Sequence, residues 1–171
     1  MRAAAGLFDT AKRSELKPSV RVAAIGALAN LRSVAKVDEG GLVKLLGDPE
    51  PQVRRASADA LASVSSAESA LITLIADDQS AEVAAAGAAA LCRDVPPTGI
   101  KGTERAARLT PKARDRLRNL GANEQLPLVD RLDLLGCVRV NAQPADQKLL
   151  DTLAKSKVDS VKRRARSLGG R

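Results

Sequence analysis

The residues able to do chemistry are few. No histidine occurs among the 171 residues. That removes the commonest general base and the commonest metal ligand of proteins. Cys92 and Cys137 fall on apolar faces of different predicted helices. Buried free thiols are the expectation there, and a disulfide is the alternative. Glu104, Asp115, Asp130 and Asp133 could be imagined as acid–base pairs. Asp130 and Asp133, however, stand three apart on one predicted helix, the spacing of a polar face. No serine nucleophile elbow, phosphate-binding loop or metal-ligand spacing is present. The expected function is therefore not enzymatic, and no cofactor or metal is expected.

What remains is positive charge. Residues 1–100 hold 11 Lys/Arg and 12 Asp/Glu, a net of −1, whereas residues 101–171 hold 17 and 8, a net of +9. Two clusters carry the excess. One contains Lys101, Arg105, Arg108, Lys112, Arg114, Arg116 and Arg118; the other contains Lys155, Lys157, Lys162, Arg163, Arg164, Arg166 and Arg171. Such an asymmetry is read as a solvated face, or functionally as a site for an acidic partner or a phosphate backbone. The chain has no Trp or Tyr and one Phe. Stacking on nucleic-acid bases, which needs aromatic faces, therefore has almost no means here.

These cations must be held by something, and the alanine-rich periodicity says what. In the stretch Asp48–Val64, Val53, Ala56, Ala60, Leu61 and Val64 fall at helical spacing on one face. Asp48 is placed to cap the helix, and Pro49 and Pro51 suit its first turn. Arg54 and Arg55 lie early in that helix, where a cation opposes the helix dipole, so a nearby acid is expected. The pattern recurs. Val20, Ala23, Ala24, Ala27 and Leu28 follow Pro18, with Arg21 in the place of Arg54. Val83, Ala86, Ala90 and Leu91 repeat it with Ala84 there instead. Periods near thirty residues signal stacked helix pairs, none of which can bury its apolar face alone.

These residues resemble the HEAT repeats, in particular the short subclass of the phycobilisome-lyase type. Its second helix reads roughly D-x-x-x-x-V-R-x-x-A-x-x-A-L. Asp48, Val53, Arg54, Ala56 (or Ser57), Ala60 and Leu61 carry the match, which is specific over residues 18–92 and looser beyond. The resemblance implies an all-α solenoid whose second helices line the inner surface. It also implies that the Val-Arg arginine pairs with an acid at the adjoining repeat's turn. Asp48, and Asp77 or Asp78, are placed to meet Arg21 and Arg54 in this way. Such pairs set register between layers more clearly than they stabilise.

The expected architecture is one domain over 1–171 with about five antiparallel helix pairs: 1–32, 33–65, 66–93, 103–140 and 143–168. A Pro/Gly-rich insertion covers 94–109. Within the domain, residues 1–16 read as a first helix with Leu7, Phe8, Ala11 and Leu16 inward. Leu126, Val129, Leu132, Leu135 and Cys137 or Val138 form a later stripe. Val158, Val161, Ala165 and Leu168 form the last.

Among relatives implied by the resemblance, helical-repeat glycosylases need aromatic residues at a lesion, and di-iron hydroxylases need histidine. Neither is supplied here. A HEAT-like lyase or lyase subunit remains an alternative at the level of repeat type only. The expected function is a protein–protein scaffold whose basic second half holds a partner with an acidic face. Arg114, Arg118, Lys162, Arg163 and Arg166 are the expected contacts, and sequence-independent binding of a nucleic-acid backbone is the alternative. No run of apolar residues is long enough to span a membrane, and the opening MRAAAGLFDT is too short for a secretory signal. The cytoplasm is the expected compartment. Neither end shows an evident polar cap, so membership of a larger assembly is a further expectation.

Overall fold

A computed structural model describes residues 2–32, 37–62, 64–92, 108–138 and 143–169. Most of the expected insertion at 94–109 lies outside them. Ten α-helices occur among the described residues: α1 Arg2–Lys12, α2 Pro18–Leu31, α3 Glu39–Lys44, α4 Pro51–Ala60, α5 Glu68–Asp77, α6 Ala81–Cys92, α7 Pro111–Ala122, α8 Leu128–Val138, α9 Pro144–Leu153 and α10 Asp159–Gly169. Short 3₁₀ turns at Leu45–Gly47 and Ser65–Ala67 follow α3 and lead into α5.

Local sequence explains the helix starts. Proline begins α2, α4, α7 and α9, where its missing N–H is not needed. Thr110 accepts a hydrogen bond from the Ala113 N–H at 3.2 Å, and Asp38 accepts one from Gly41 at 2.9 Å. Gly41 also lets Phe8 lie against α3: a Cβ there would fall 1.9 Å from the ring.

The helices pair as α1 with α2, α5 with α6, α7 with α8 and α9 with α10, and α4 packs on the turn after α3. The second helices then stack on each other in order: α2 on α4, α4 on α6, α6 on α8, α8 on α10. The first helices α5, α7 and α9 form a parallel row. This is an all-α solenoid. One apolar core runs from Ala4 to Cys137. A second, smaller core of Leu135, Val138, Leu150, Leu153, Val161 and Ala165 seals the last pair. Alanine makes the middle of the stack close. Six consecutive residues of α6, Val83 to Ala88, are all buried, because that helix has a neighbour on each side.

Several expectations are corrected. The disulfide alternative holds for the cysteines: Cys92 and Cys137 are bonded, with Cα atoms 5.4 Å apart. The physical reason is that α6 and α8, distant in sequence, are neighbours in the stack. Asp48 does not cap α4 directly. Glu50 holds the cap position, and Asp48 accepts the Glu50 N–H at 3.0 Å instead. The first helix ends at Lys12, before Leu16. Val20 is 45% exposed, whereas its counterpart Val53 is buried, because α4 has α2 beside it, and among the described residues no second helix stands before α2. Val129 is 68% exposed and Val158 39%; in α8, Asp130 and Arg131 take the inward places.

Candidate interaction surface

The two basic clusters have different fates. Of the described members of the first, before and within α7, three turn onto the molecule's own acids and a fourth onto a backbone carbonyl. Arg108 donates to Glu68 at 3.1 Å, and Lys112 pairs with Asp77. Arg116 donates to the Asp78 carbonyl at 3.4 Å. Arg118 is 18% exposed and reaches Asp146 at 2.6 Å, Asp115 at 2.6 Å and the Gln143 carbonyl oxygen of its side chain at 2.9 Å. Asp146 is itself buried and closes a capping box with Gln143 at the start of α9. Arg118 thus joins α7 to α9. Arg114 is half-buried on the same helix.

The part of the second cluster that lies on α10 faces water. Val161 and Ala165 bury one side of the helix, which leaves Arg163, Arg164 and Arg166 exposed on the other. Among the described residues these three guanidinium groups make no ion pair. Lys162 is partly exposed and lies 3.0 Å from the exposed Asp159, one helical turn earlier. The hydrogen bond from Lys162 holds the Asp159 carboxyl below the usual aspartate value. That contribution is present above the ordinary pKa and is lost as pH falls through the lowered one. The pair therefore persists at neutral pH, but surface pairs of this kind add little stability.

Inter-repeat arginines lie deeper. Arg21 is 2% exposed and forks onto both oxygens of Asp48, while its Nε donates to the Ala11 carbonyl at 2.9 Å. Arg54 grips Asp78 through Nε at 2.7 Å and Nη2 at 3.0 Å. Its Nη1 donates to the carbonyl oxygens of Asp48 and Pro49. The Asp78 hydrogen bond raises the Arg54 guanidinium above its ordinary pKa. Asp78 fills this role; Asp77 instead meets Lys112.

One pair was not foreseen. Arg55 of α4 reaches past α6 to Asp130 of α8 at 2.9 Å, and lies 3.6 Å from Glu82. Asp130 occupies the inward position that Val53 and Val83 hold in their helices. The signal available in the sequence was an acid at a valine position.

Among the described residues no group of three or more Cys, Asp or Glu side chains could hold a metal ion. No helix there is long and apolar enough to cross a membrane. The described surface offers charge and a stacked frame to display it.

An all-α stack of short helix pairs, stitched by arginine–aspartate bonds at its turns, defines a helical-repeat protein. A family profile described as HEAT repeats matches residues 4–92, slightly more than half of the chain. The chain belongs to the HEAT-repeat family. The curated proteins compared with it contain no match.

Proposed function

We propose that this protein is a non-catalytic scaffold that holds an acidic protein partner on the exposed face of α10. Repeats of this family commonly mediate protein–protein interaction. The observation that carries the reading is the contrast between the two clusters. Arg118 is bound within the molecule, and Arg114 shares its half-buried helix. Arg163, Arg164 and Arg166 present unpaired charge to solvent, with Lys162 beside them. Of the expected contact residues, Lys162, Arg163 and Arg166 therefore form the primary surface, and Arg114 and Arg118 support the frame behind it.

Exposed arginines can fork onto carboxylates, which suits an acidic protein face. They also suit phosphates, but the scarcity of aromatic side chains leaves only backbone contact for a nucleic acid. Titration of the protein with poly-glutamate and with random-sequence duplex DNA, each across a salt series, separates the two. Saturable poly-glutamate binding at physiological salt, with duplex binding weak there, is expected. Tight duplex binding that falls steeply with salt, without poly-glutamate binding, would favour the nucleic-acid reading.

The Cys92–Cys137 bond bears on where this happens. Disulfides persist in oxidising compartments and are rare in the cytoplasm. An oxidising compartment is therefore the better reading of this chain's working place than the cytoplasm that its opening residues suggest.

A further inference from the structure

The second helices share one register. Val20, Val53, Val83, Asp130 and Val161 are equivalent, as the burial of the residues after them shows. The next position along holds Arg21, Arg54, Ala84, Arg131 and Lys162. The turns before the last four of these helices share a feature too. One side chain accepts the backbone N–H of the residue two ahead: Asp48 from Glu50 at 3.0 Å, Asp78 from Ser80 at 2.8 Å, Asn123 from Gln125 at 2.9 Å and Ser156 from Val158 at 3.1 Å. In three of the four, the turn residue precedes the inward position by five (53 − 48, 83 − 78, 161 − 156).

Arg21 and Arg54 each face the turn of the following repeat, and the shared register sets Arg131 against the Ser156 turn in the same way, so the rungs can be compared. Arg21 meets Asp48, and Arg54 meets Asp78. At the third rung both charges are missing together: Ala84 and Asn123. At the fourth the cation stays and the acid does not: Arg131 and Ser156. Arg131 is 4% exposed. Its Nε and Nη2 are buried and, among the described residues, have no hydrogen-bond partner. Those are the same two atoms that Arg54 places on the oxygens of Asp78.

A buried guanidinium edge with nothing to donate to is strongly unfavourable, and an anion relieves it. We propose that Arg131, with the Ser156 turn, is a binding site for a small tetrahedral oxyanion of the phosphate or sulfate class. The anion takes the place that a carboxylate occupies on the earlier rungs. Nε and Nη2 of Arg131 form the planar fork that such an oxyanion fits. The Ser156 hydroxyl, which accepts from Val158, keeps its own proton to donate. Serine is neutral, so it leaves the guanidinium charge without the acid of the earlier rungs. Its residues, Arg131 of α8 and Ser156 of the turn before α10, are distinct from the exposed α10 cations Arg163, Arg164 and Arg166.

Thermal unfolding in inorganic phosphate, against chloride at matched ionic strength, tests the assignment. The expected result is a rise in Tm of a few degrees with phosphate, from preferential binding to the folded state. Arg131→Met should lose that rise. Ser156→Asp should supply the missing acid internally, raising Tm without phosphate and abolishing the response to it. Glu substitutions at Arg163 and Arg166 should leave the response in place. No phosphate response in the unaltered chain would overturn the proposal, as would an equal response in Arg131→Met or Ser156→Asp. If Arg131→Met does not fold, the Ser156→Asp comparison decides alone.

Discussion

The strongest residue-scale statement concerns Arg54 and Asp78. Both are largely buried, and the pair is bidentate. Removing one partner leaves the other charge buried and uncompensated, at about 3–5 kcal/mol, whereas the net worth of the intact pair is much smaller. Arg54→Ala and Asp78→Ala should each be strongly destabilising, and the double variant should be far less than additive. Denaturant melts of the three variants check this; simple additivity would show that the two side chains do not act as a unit. The arginines were legible because a cation early in a helix asks for an acid. Which acid was not: Asp77 and Asp78 are neighbours in sequence, and only the direction of the α5–α6 turn assigns Asp78 to Arg54 and Asp77 to Lys112.

Between elements, the disulfide is the feature that local pattern could not yield. Cys92 and Cys137 are 45 residues apart, and their pairing depends on α6 and α8 being neighbours across the intervening segment. Helical periodicity reports which face is apolar, not which helix will cover it. The same gap explains Val20 and Val129. Both lie at plausible inward spacings, yet among the described residues no preceding second helix lies beside Val20, and the α8 register turns Asp130 and Arg131 inward instead. Closing a loop of this length stabilises by about 2–4 kcal/mol, mainly by restricting the unfolded chain. Reduction, or Cys92→Ser with Cys137→Ser, should lower Tm while far-UV circular dichroism stays helical. An unchanged Tm would show that the bond contributes nothing to holding α6 and α8 together.

At the scale of the whole molecule, the repeat period was readable, because the valine, arginine and alanine positions recur over three pairs before they diverge. The last two pairs were legible mainly through the Leu126–Val138 and Val158–Leu168 stripes, and they stack as the first three do. The charge asymmetry was also plain in the composition. What composition could not say is that Arg108, Lys112 and Arg118 of the first cluster are bound internally to Glu68, Asp77 and Asp146, while Arg163, Arg164 and Arg166 of the second are turned outward. That sorting needs the neighbouring repeats in place. It narrows the proposed contact surface from half of the chain to one helix.

The direct trial of that surface is affinity capture from the native host, comparing the unaltered protein with a variant carrying Lys162→Glu, Arg163→Glu and Arg166→Glu. Helicity and Tm should match, because these side chains lie outside the core. An acidic protein should be enriched by the unaltered chain and lost from the variant. The same protein recovered equally by both would contradict the proposed surface.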